Sequence, residues 1–560
     1  MGKGIIGRDR IVSKPVKMLN PERTTSEPAP LWYRQVCALA FLLIILFSVG
    51  LKIYKANHAG IIYDERANYQ LFSSSIHRAL NVFNTTNNHV LNSVFMYYAH
   101  KYFGYYEHFI RIPSLSAGIL FSLSIAYIVY KTIQSRILRV TTLAVVSFVP
   151  IVFNYSFLAR GYSFALAGIF TEIAFLLWLL DHKIKFRYWP IPVVVISLMN
   201  FLAFGAMLSS ILLLAALNMT FILLYSFKVF SNRPRKLITV IVNLVSISLL
   251  SFVLLFALYR HIYKDILDNP VLKEISGRMR GWPGFTGYLH NILISKVFRL
   301  NSPFATVVFC AFICLIATAI AFHLHRFSKA MKERRWRNYL NAAEPGPFLF
   351  IISGLTIIFM FVQCVIMKKG LGLARSHVFL IPLVWICFIM VLDRCILHIG
   401  RGRLKIGVQL IVATILGIVA LRNMPDSHRI SSSTISGPVL RKLKAIDPDK
   451  TWHLAFTEKM EGHLVGFFYY KQFDYKFKIL KRPESEVLIC DKDEWPKHAI
   501  CRYKVEILGE KGIRIHTKGV QPKHAACLDW DYFSKSNCAV VLNCSVPQDK
   551  VVVQFRLIED

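Results

Sequence analysis

The chain is divided by apolar runs long enough to cross a lipid bilayer, and no other feature constrains its fold as strongly. The first run, residues 36–53, reads VCALAFLLIILFSVGLKI. A helix of about 20 mainly apolar residues spans a membrane, so each window of about 17 or more is a candidate span. These windows predict a polytopic α-helical membrane protein with about eleven spans, at 36–53, 113–130, 138–156, 162–180, 189–205, 207–226, 237–258, 303–323, 347–367, 377–394 and 404–421.

The formal net charge of +35 suggests a nucleic-acid partner only until the charges are placed along the chain. With the N-terminus in the cytoplasm, the predicted inner segments hold 27 Lys and Arg residues. The short outer loops hold only Arg160, Lys368, Lys369 and Arg375. Basic inner loops and weakly basic outer loops are the positive-inside pattern of membrane proteins. The charge therefore indicates orientation and contact with anionic lipid, and we expect no nucleic acid to bind.

Three parts follow from this topology. Residues 1–35 form a basic cytoplasmic N-terminus. Residues 36–422 form the transmembrane domain, which has two long outer loops at 54–112 and 259–302. Residues 423–560 form an extracytoplasmic C-terminal domain. We expect the 259–302 loop either to cover a site or to lie on the membrane surface.

Alternating apolar residues predict that the C-terminal domain is α/β or mostly β. The strand-like runs are EVLIC, YKVEILG, GIRIHTKG and KVVVQFRLI, and SGPVLRKLKAI has helical spacing. Five cysteines beyond residue 489 predict up to two disulfides, because this side of the membrane is oxidising.

Three further features of the membrane portion need an explanation. HVLNSVFMYYAHKYFG, residues 89–104, has apolar residues at helical spacing and predicts a helix in the membrane interface. Glu172 falls deep inside the fourth span, where an ionisable group costs about 2.5–3.5 kcal/mol on insertion scales. An ion pair with an Arg or a hydrogen bond between helices would account for it. Asp393 lies at an inner helix end, where we expect it to reach water.

Five different short motifs follow one another along the chain, all on the predicted outer face. They are YDERANY with Asp64 and Glu65, NNHVLNS with Asn88 and His89, the set Glu107, Arg111 and Pro113, LARGYSF with Arg160 and Tyr162, and LARSHVFLIPL with Arg375 and Pro382. The ordered set, over about 36–422, resembles the GT-C superfamily of polytopic glycosyltransferases that use polyprenyl-phosphate-linked sugars. The most similar groups are protein O-mannosyltransferase-like and lipid A aminoarabinose transferase-like enzymes. The chain lacks the two prolines that those proteins carry after the His/Lys position.

The resemblance implies a sugar donor linked to polyprenyl phosphate and a lipid, glycan or protein acceptor. A carboxylate near the acceptor can take its proton, and cationic groups can stabilise the leaving phosphate. Asp64 is the candidate general base. Glu65 could orient Asp64, bind the acceptor or hold a metal. The other candidates are Arg160, Arg375, Lys368, Lys369 and Arg66 for the donor phosphate, and His89, Asn88, Glu107 and Tyr162 for the acceptor or substrate.

Other interpretations remain open at the level of sequence. Asp64 and Glu65 are also compatible with solvated charges at a helix N-terminus, where carboxylates are favoured. A polymerase or ligase of lipid-linked polysaccharide would have outer arginines too, and a lipid or sugar transporter would also be polytopic. The resemblance favours a bacterial plasma (inner) membrane over the endoplasmic reticulum. No cofactor is certain, and a divalent cation is left open.

Overall fold

The computed structural model describes most of the membrane portion and the strands of the C-terminal part. The described residues are 30–58, 63–82, 88–104, 107–182, 190–232, 237–268, 281–290, 345–368, 371, 374–398 and 403–428, with seven strands beyond residue 451.

Helices account for nearly all of the described membrane portion. In chain order they are α1 Leu31–His58, α2 Tyr63–Asn68, α3 Ile76–Asn81, α4 Val90–Phe103, α5 Glu107–Thr132, α6 Arg136–Ser147, α7 Pro150–Tyr155, α8 Tyr162–Asp181, α9 Pro190–Ala206, α10 Ile211–Asn232, α11 Leu237–Tyr259, α12 Tyr263–Asp268, α13 Gly281–His290, α14 Pro345–Phe361, α15 Leu380–His398 and α16 Arg403–His428. Short π-helical segments at Tyr69–Ser73 and Val362–Ile366 continue α2 and α14. Single 3-10 turns lie at Leu208–Ser210 and Ala374–His377.

Seven of the described helices are long and apolar enough to cross a membrane, which identifies an integral membrane protein. They correspond to seven of the eleven predicted spans. Two further apolar helices, Pro190–Ala206 and Leu208–Ile222, are shorter. The predicted span 303–323 lies outside the described residues.

The predicted span 138–156 is two helices rather than one. α6 ends at Ser147, and α7 starts at Pro150. Proline has no N–H to donate and disfavours helical geometry in the residue before it, so it breaks a helix and suits the first position of the next. The prediction of one continuous span was therefore wrong at this point.

The centre of the bundle is the pair α5 and α8. In α8, 72% of the most apolar window is buried, whereas the values for α1 and α11 are 11% and 17%. Phe121 of α5 meets Phe170 of α8 edge to face. Gly168 lets α8 approach α9 closely, because a Cβ there would lie 2.6 Å from the carbonyl oxygen of Met199. The poorly buried helices form the surface that faces lipid.

Asp393 of α15 is bonded to the connection between α5 and α6. Its carboxylate accepts hydrogen bonds from the backbone N–H groups of Gln134, at 2.6 Å, and Ser135, at 3.1 Å. The side chain is fully buried. The expectation that Asp393 reaches water was therefore wrong, because the start of α6 supplies the hydrogen bonds that water would have supplied.

The C-terminal part contains seven strands: β1 Trp452–Phe456, β2 Phe477–Ile479, β3 Val487–Ile489, β4 Tyr503–Ile507, β5 Ile513–Thr517, β6 Ala539–Ser545 and β7 Val552–Ile558. β1 pairs in parallel with β2 and β3, and the pairs β4–β5 and β6–β7 are antiparallel. All four strand-like runs of the sequence are confirmed as strands. The helix predicted in SGPVLRKLKAI and the side chains of the five cysteines lie outside the described residues, and the type of this domain stays a prediction.

Candidate active site

The site is built around the short turn 157–161 between α7 and α8. Two side chains hold the peptide groups of Ala159. Its N–H donates to Glu65 Oε1 at 2.6 Å, and its carbonyl accepts from Asn92 Nδ2 at 3.1 Å. Asn92 Oδ1 in turn accepts from the hydroxyl of Ser114 on α5, at 3.1 Å. The turn that carries Arg160 is thus fixed by α2, α4 and α5.

α4 is the helix predicted in residues 89–104, and the structure confirms that it is helical. Its buried residues include the polar Asn92 and Ser93 beside Met96. Tyr98 and Tyr102 are exposed by 41% and 71%. The face of α4 that packs against the protein thus combines these polar residues with apolar ones, and the two tyrosines lie on the exposed face, where they suit a membrane interface.

Glu65 and Arg111 form a completely buried ion pair. Arg111 Nε donates to Glu65 Oε1 at 2.9 Å, and Nη2 donates to Oε2 at 2.6 Å, which is bidentate geometry. Arg111 Nη1 also donates to the carbonyl of Ala56 at the end of α1, at 3.2 Å. Both side chains are 0% exposed. The oxygens of Glu65 are thus directed at α5 and the turn, which is a structural contact, and the catalytic role of Glu65 stays a prediction.

Asp64, the neighbour of Glu65, is partly exposed and contacts a different arginine, Arg160. Its Oδ2 lies 2.8 Å from Arg160 Nη1, and its side chain is 23% exposed. The side chain of Arg160 is only 1% exposed. A carboxylate that solvent can reach thus covers a buried guanidinium group.

The Asp64–Arg160 contact is an ion pair by distance without hydrogen-bond geometry. Arg160 Nε and Nη1 make no hydrogen bond to any group in the described part of the chain. Burial of a donor without a hydrogen bond is costly, and a charged donor costs most. Arg160 therefore has donor capacity that a ligand oxygen could use.

His89 lies behind Arg160. Its Nδ1 is 3.0 Å from the carbonyl oxygen of Ala206, and its Nε2 is 3.4 Å from Arg160 Nη2. A carbonyl only accepts, so Nδ1 carries the proton and Nε2 can accept from the guanidinium. This arrangement fits the neutral imidazole, which orients Arg160 without adding charge.

Gly161 is required by close packing. A Cβ at this position would lie 2.6 Å from the carbonyl oxygen of Ala206 and 2.8 Å from His89 Cβ. Both distances are shorter than carbon atoms tolerate without a shift of the backbone or ring. The glycine of the LARGYSF motif thus brings Arg160 and His89 together.

Tyr162 supplies an aromatic surface beside the cluster and is 3% exposed. Its ring centroid lies 5.5 Å from the Arg160 guanidinium carbon and 5.1 Å from the His89 ring, and it stacks on Tyr155 at 4.0 Å. A cation beside an aromatic ring is stabilised electrostatically. Tyr162 therefore supports Arg160 from one side.

The remaining predicted residues are placed unevenly. Asn88 is 5% exposed; its amide donates to Val82 O at 2.7 Å and accepts from the Ser93 hydroxyl at 2.8 Å, which ties the end of α3 to α4. Lys368 is exposed and has a φ of 51°, directly after the π-helical segment that follows α14. Side chains outside the described residues are those of Arg66, Glu107, Lys369 and Arg375.

Sequence reasoning missed a second buried contact, between Tyr288 of α13 and His377 of the Ala374–His377 turn. The Tyr288 hydroxyl and His377 Nδ1 are hydrogen-bonded. Burial raises the pKa of Tyr288 well above its usual range and lowers the pKa of His377 to about 3. Both groups are therefore neutral near pH 7, so Tyr288 donates. The only signal in the sequence was a His beside Arg375, in LARSHVF.

A divalent cation was left open by the sequence. Within the ranges that the structure describes, no three His, Cys, Asp or Glu side chains come close enough together to hold a metal ion. At Asp64 the positive charge beside the carboxylate comes from Arg160. Metal dependence stays untested.

No protein-family model matches the sequence, and no curated protein matches it. Among solved structures, the chain is similar to ArnT from Cupriavidus metallidurans bound to undecaprenyl phosphate. The identity is 11% and the TM-score 0.45, over 84% of this chain and 96% of that one. It is also similar to the archaeal oligosaccharyltransferase AglB from Archaeoglobus fulgidus, in complex with an inhibitory peptide and a dolichol-phosphate. There the identity is 12% and the TM-score 0.44, over 95% of this chain and 77% of that one.

Proposed function

We propose that the protein is a membrane glycosyltransferase that transfers a sugar from a polyprenyl-phosphate donor to a lipid, glycan or protein acceptor. The observation that carries the proposal is the Asp64–Arg160–His89 cluster. It combines a carboxylate that solvent can reach with a buried guanidinium that has donor capacity to spare. The ordered outer-face motifs support the same function.

Glycosyl transfer from such a donor needs two kinds of protein group. The bond between the anomeric carbon and the phosphate oxygen breaks as a bond to the acceptor oxygen or nitrogen forms, through an oxocarbenium-like transition state. The acceptor proton must leave, and the lipid phosphate departs with an additional negative charge. A base is therefore needed at the acceptor and a cation at the phosphate.

Asp64 is the proposed general base, and its partial exposure gives an acceptor access. Arg160 is the proposed hydrogen-bond donor to the phosphate of the lipid-linked sugar. Because it is buried, its charge is poorly screened by water, so each contact to phosphate is worth more than at an open surface. His89 and Tyr162 hold the guanidinium in place.

Arg375, Lys368, Lys369 and Arg66 are proposed as additional cationic groups for the donor. Arg375 and Lys368 follow α14 closely in sequence, and Arg375 lies in the Ala374–His377 turn. Glu107 begins α5 and stays a candidate for acceptor binding.

We infer the orientation from the charge distribution, with the N-terminus in the cytoplasm and residues 423–560 on the extracytoplasmic side. The site then faces outward, in a bacterial plasma membrane. The donor follows from the motifs, whereas the identity of the sugar and of the acceptor requires a substrate screen.

The experiment is an assay for sugar release from polyprenyl monophosphate and polyprenyl diphosphate donors, with purified protein in detergent. We expect turnover of the monophosphate donor. Asp64→Asn should slow it by roughly 10²–10⁴-fold, the usual contribution of general-base catalysis. The matched control is Asp265→Asn, which alters an exposed carboxylate of α12 in the other outer loop.

The same assay separates the other functions. A polysaccharide polymerase or ligase would use only the diphosphate-linked donor. A transporter would release no sugar from either donor but would move one across a sealed vesicle. Either result would refute the proposal.

A further inference from the structure

The connection between α9 and α10 contacts His89 of the candidate site and also the turn that carries Arg375. Residues 204–210, named the elbow here, include the last residues of α9 and the Leu208–Ser210 turn. The last carbonyls of a helix lack N–H partners from their own helix and must find others. The Tyr259 hydroxyl lies 3.1 Å from the carbonyl oxygen of Phe204 and 3.0 Å from that of Gly205. His89 donates to Ala206 O at 3.0 Å.

The other side of the elbow contacts the turn that carries Arg375. The Ser209 hydroxyl donates to the carbonyl of Ser376 at 2.7 Å. These residues are 167 positions apart, so the bond joins two separate elements of the fold. Ser376 is the residue after Arg375, so Ser209 fixes the backbone one residue beyond Arg375.

The same turn is also bonded to α13. His377, 2% exposed, is hydrogen-bonded to Tyr288. α13 itself rests on the end of α14, where Phe285 and Phe361 have ring centroids 5.5 Å apart. Arg375 is therefore followed by two residues that are each fixed by a different part of the protein.

We infer that the elbow is a positioning device that sets the backbone of Arg375 relative to the Arg160–His89 pair, with Ser209 as its contact residue. The inference rests on the proposed function, because Arg375 matters only if the site holds a donor phosphate. One elbow carbonyl orients His89 and hence Arg160, and one elbow hydroxyl fixes the Arg375 turn. The elbow thus links the backbone that carries Arg375 to His89, which contacts Arg160.

The test measures binding of a long-chain polyprenyl monophosphate in detergent, together with the KM and kcat of sugar transfer. Ser209→Ala removes one neutral hydrogen bond and should weaken binding roughly three- to tenfold. It should raise KM for the donor more than it lowers kcat. Ser209→Thr keeps the hydroxyl and should restore binding.

Ser210→Ala is the matched control, because the Ser210 hydroxyl donates within the elbow, to Met207 O at 2.8 Å, and to no other group among the described residues. It should leave donor binding unchanged. If Ser209→Ala and Ser210→Ala weaken binding equally, or if Ser209→Thr fails to restore it, the elbow acts only in folding and the inference is overturned.

A double-mutant cycle shows whether Ser209 acts through Arg375. In the Arg375→Ala background, Ser209→Ala should have almost no further effect on donor binding, because coupled residues are not additive. Full additivity would overturn the inference even if the wild-type protein binds the donor. Wild-type protein that binds no polyprenyl monophosphate would instead refute the proposed function itself.

Discussion

Replacing Glu65 by Gln should destabilise the contacts between α2, α5 and the 157–161 turn rather than stop a chemical step. Within the described part of the chain, the carboxylate accepts hydrogen bonds from Arg111 at 2.9 and 2.6 Å and from Ala159 N–H at 2.6 Å. A glutamine amide offers one oxygen, and its NH₂ group would face one of these donors. The change therefore removes the negative charge and adds a contact between two donors.

The size of the effect follows from complete burial. Both side chains are 0% exposed, so water cannot solvate the charge that Arg111 retains. Breaking a buried ion pair by removal of one partner costs about 3–5 kcal/mol. The double variant Glu65→Gln/Arg111→Met removes both charges and should recover much of this loss, because the desolvated cation is gone.

The assay is thermal or denaturant unfolding in detergent, measured in parallel with donor binding and turnover. We expect Glu65→Gln to be strongly destabilised and the double variant to be nearer to wild type. Asp64→Asn, one position earlier, should be destabilised less than Glu65→Gln, because Asp64 is 23% exposed and water can reach its contact with Arg160, while turnover falls by roughly 10²–10⁴-fold. A Glu65→Gln protein as stable as wild type but inactive would refute the structural role and return Glu65 to the chemistry.

Three further predictions concern single positions. Gly161→Ala should cost about 1–3 kcal/mol by overpacking and reduce turnover, whereas Gly354→Ala, where a Cβ meets nothing within 4 Å, should do neither in the same stability and activity assays. Glu172→Met should raise the unfolding temperature, because both carboxylate oxygens are buried without a hydrogen bond to the described part of the chain; a lower temperature would indicate a partner or role for the carboxylate. Burial lowers the pKa of His377 from 6.5 to about 3. Below pH 6.5, a state in which α13 has left His377 therefore binds a proton that the docked state does not. The contact of His377 with α13 should weaken by about 1.4 kcal/mol per pH unit between pH 6.5 and pH 3. The protection factors of the Gly281–His290 amides, which compare observed with intrinsic hydrogen exchange at each pH, should fall with acid in the wild type and not in His377→Gln, and a pH-independent protection in the wild type would contradict the docking.

The helices were largely predictable because apolar length alone defines a membrane span. The break before Pro150 could have been predicted from the same sequence, since proline ends a helix and starts another. The place of Asp393 could not. Its partners at Gln134 and Ser135 lie more than 250 positions away, and no local pattern links them.

The site shows the same limit more sharply. Asp64 and Glu65 are adjacent in the sequence and were expected to work side by side. On α2, consecutive residues point about 100° apart, so one carboxylate faces Arg160 and the other is buried against Arg111. Which of the two faces inward depends on α5 and the 157–161 turn, which the sequence alone does not bring to α2.

The most direct measurement is an experimental structure of the Asp64→Asn variant with a polyprenyl-phosphate-linked sugar bound. This variant should bind the donor but transfer its sugar slowly, so the complex should persist long enough to be seen. We expect a phosphate oxygen about 3 Å from the Arg160 guanidinium, the substituted amide at position 64 facing the side of the sugar that an acceptor approaches, and the Arg375 turn next to the same phosphate. A phosphate bound away from Arg160, with the contact between position 64 and Arg160 sealed from the donor, would contradict the central claim.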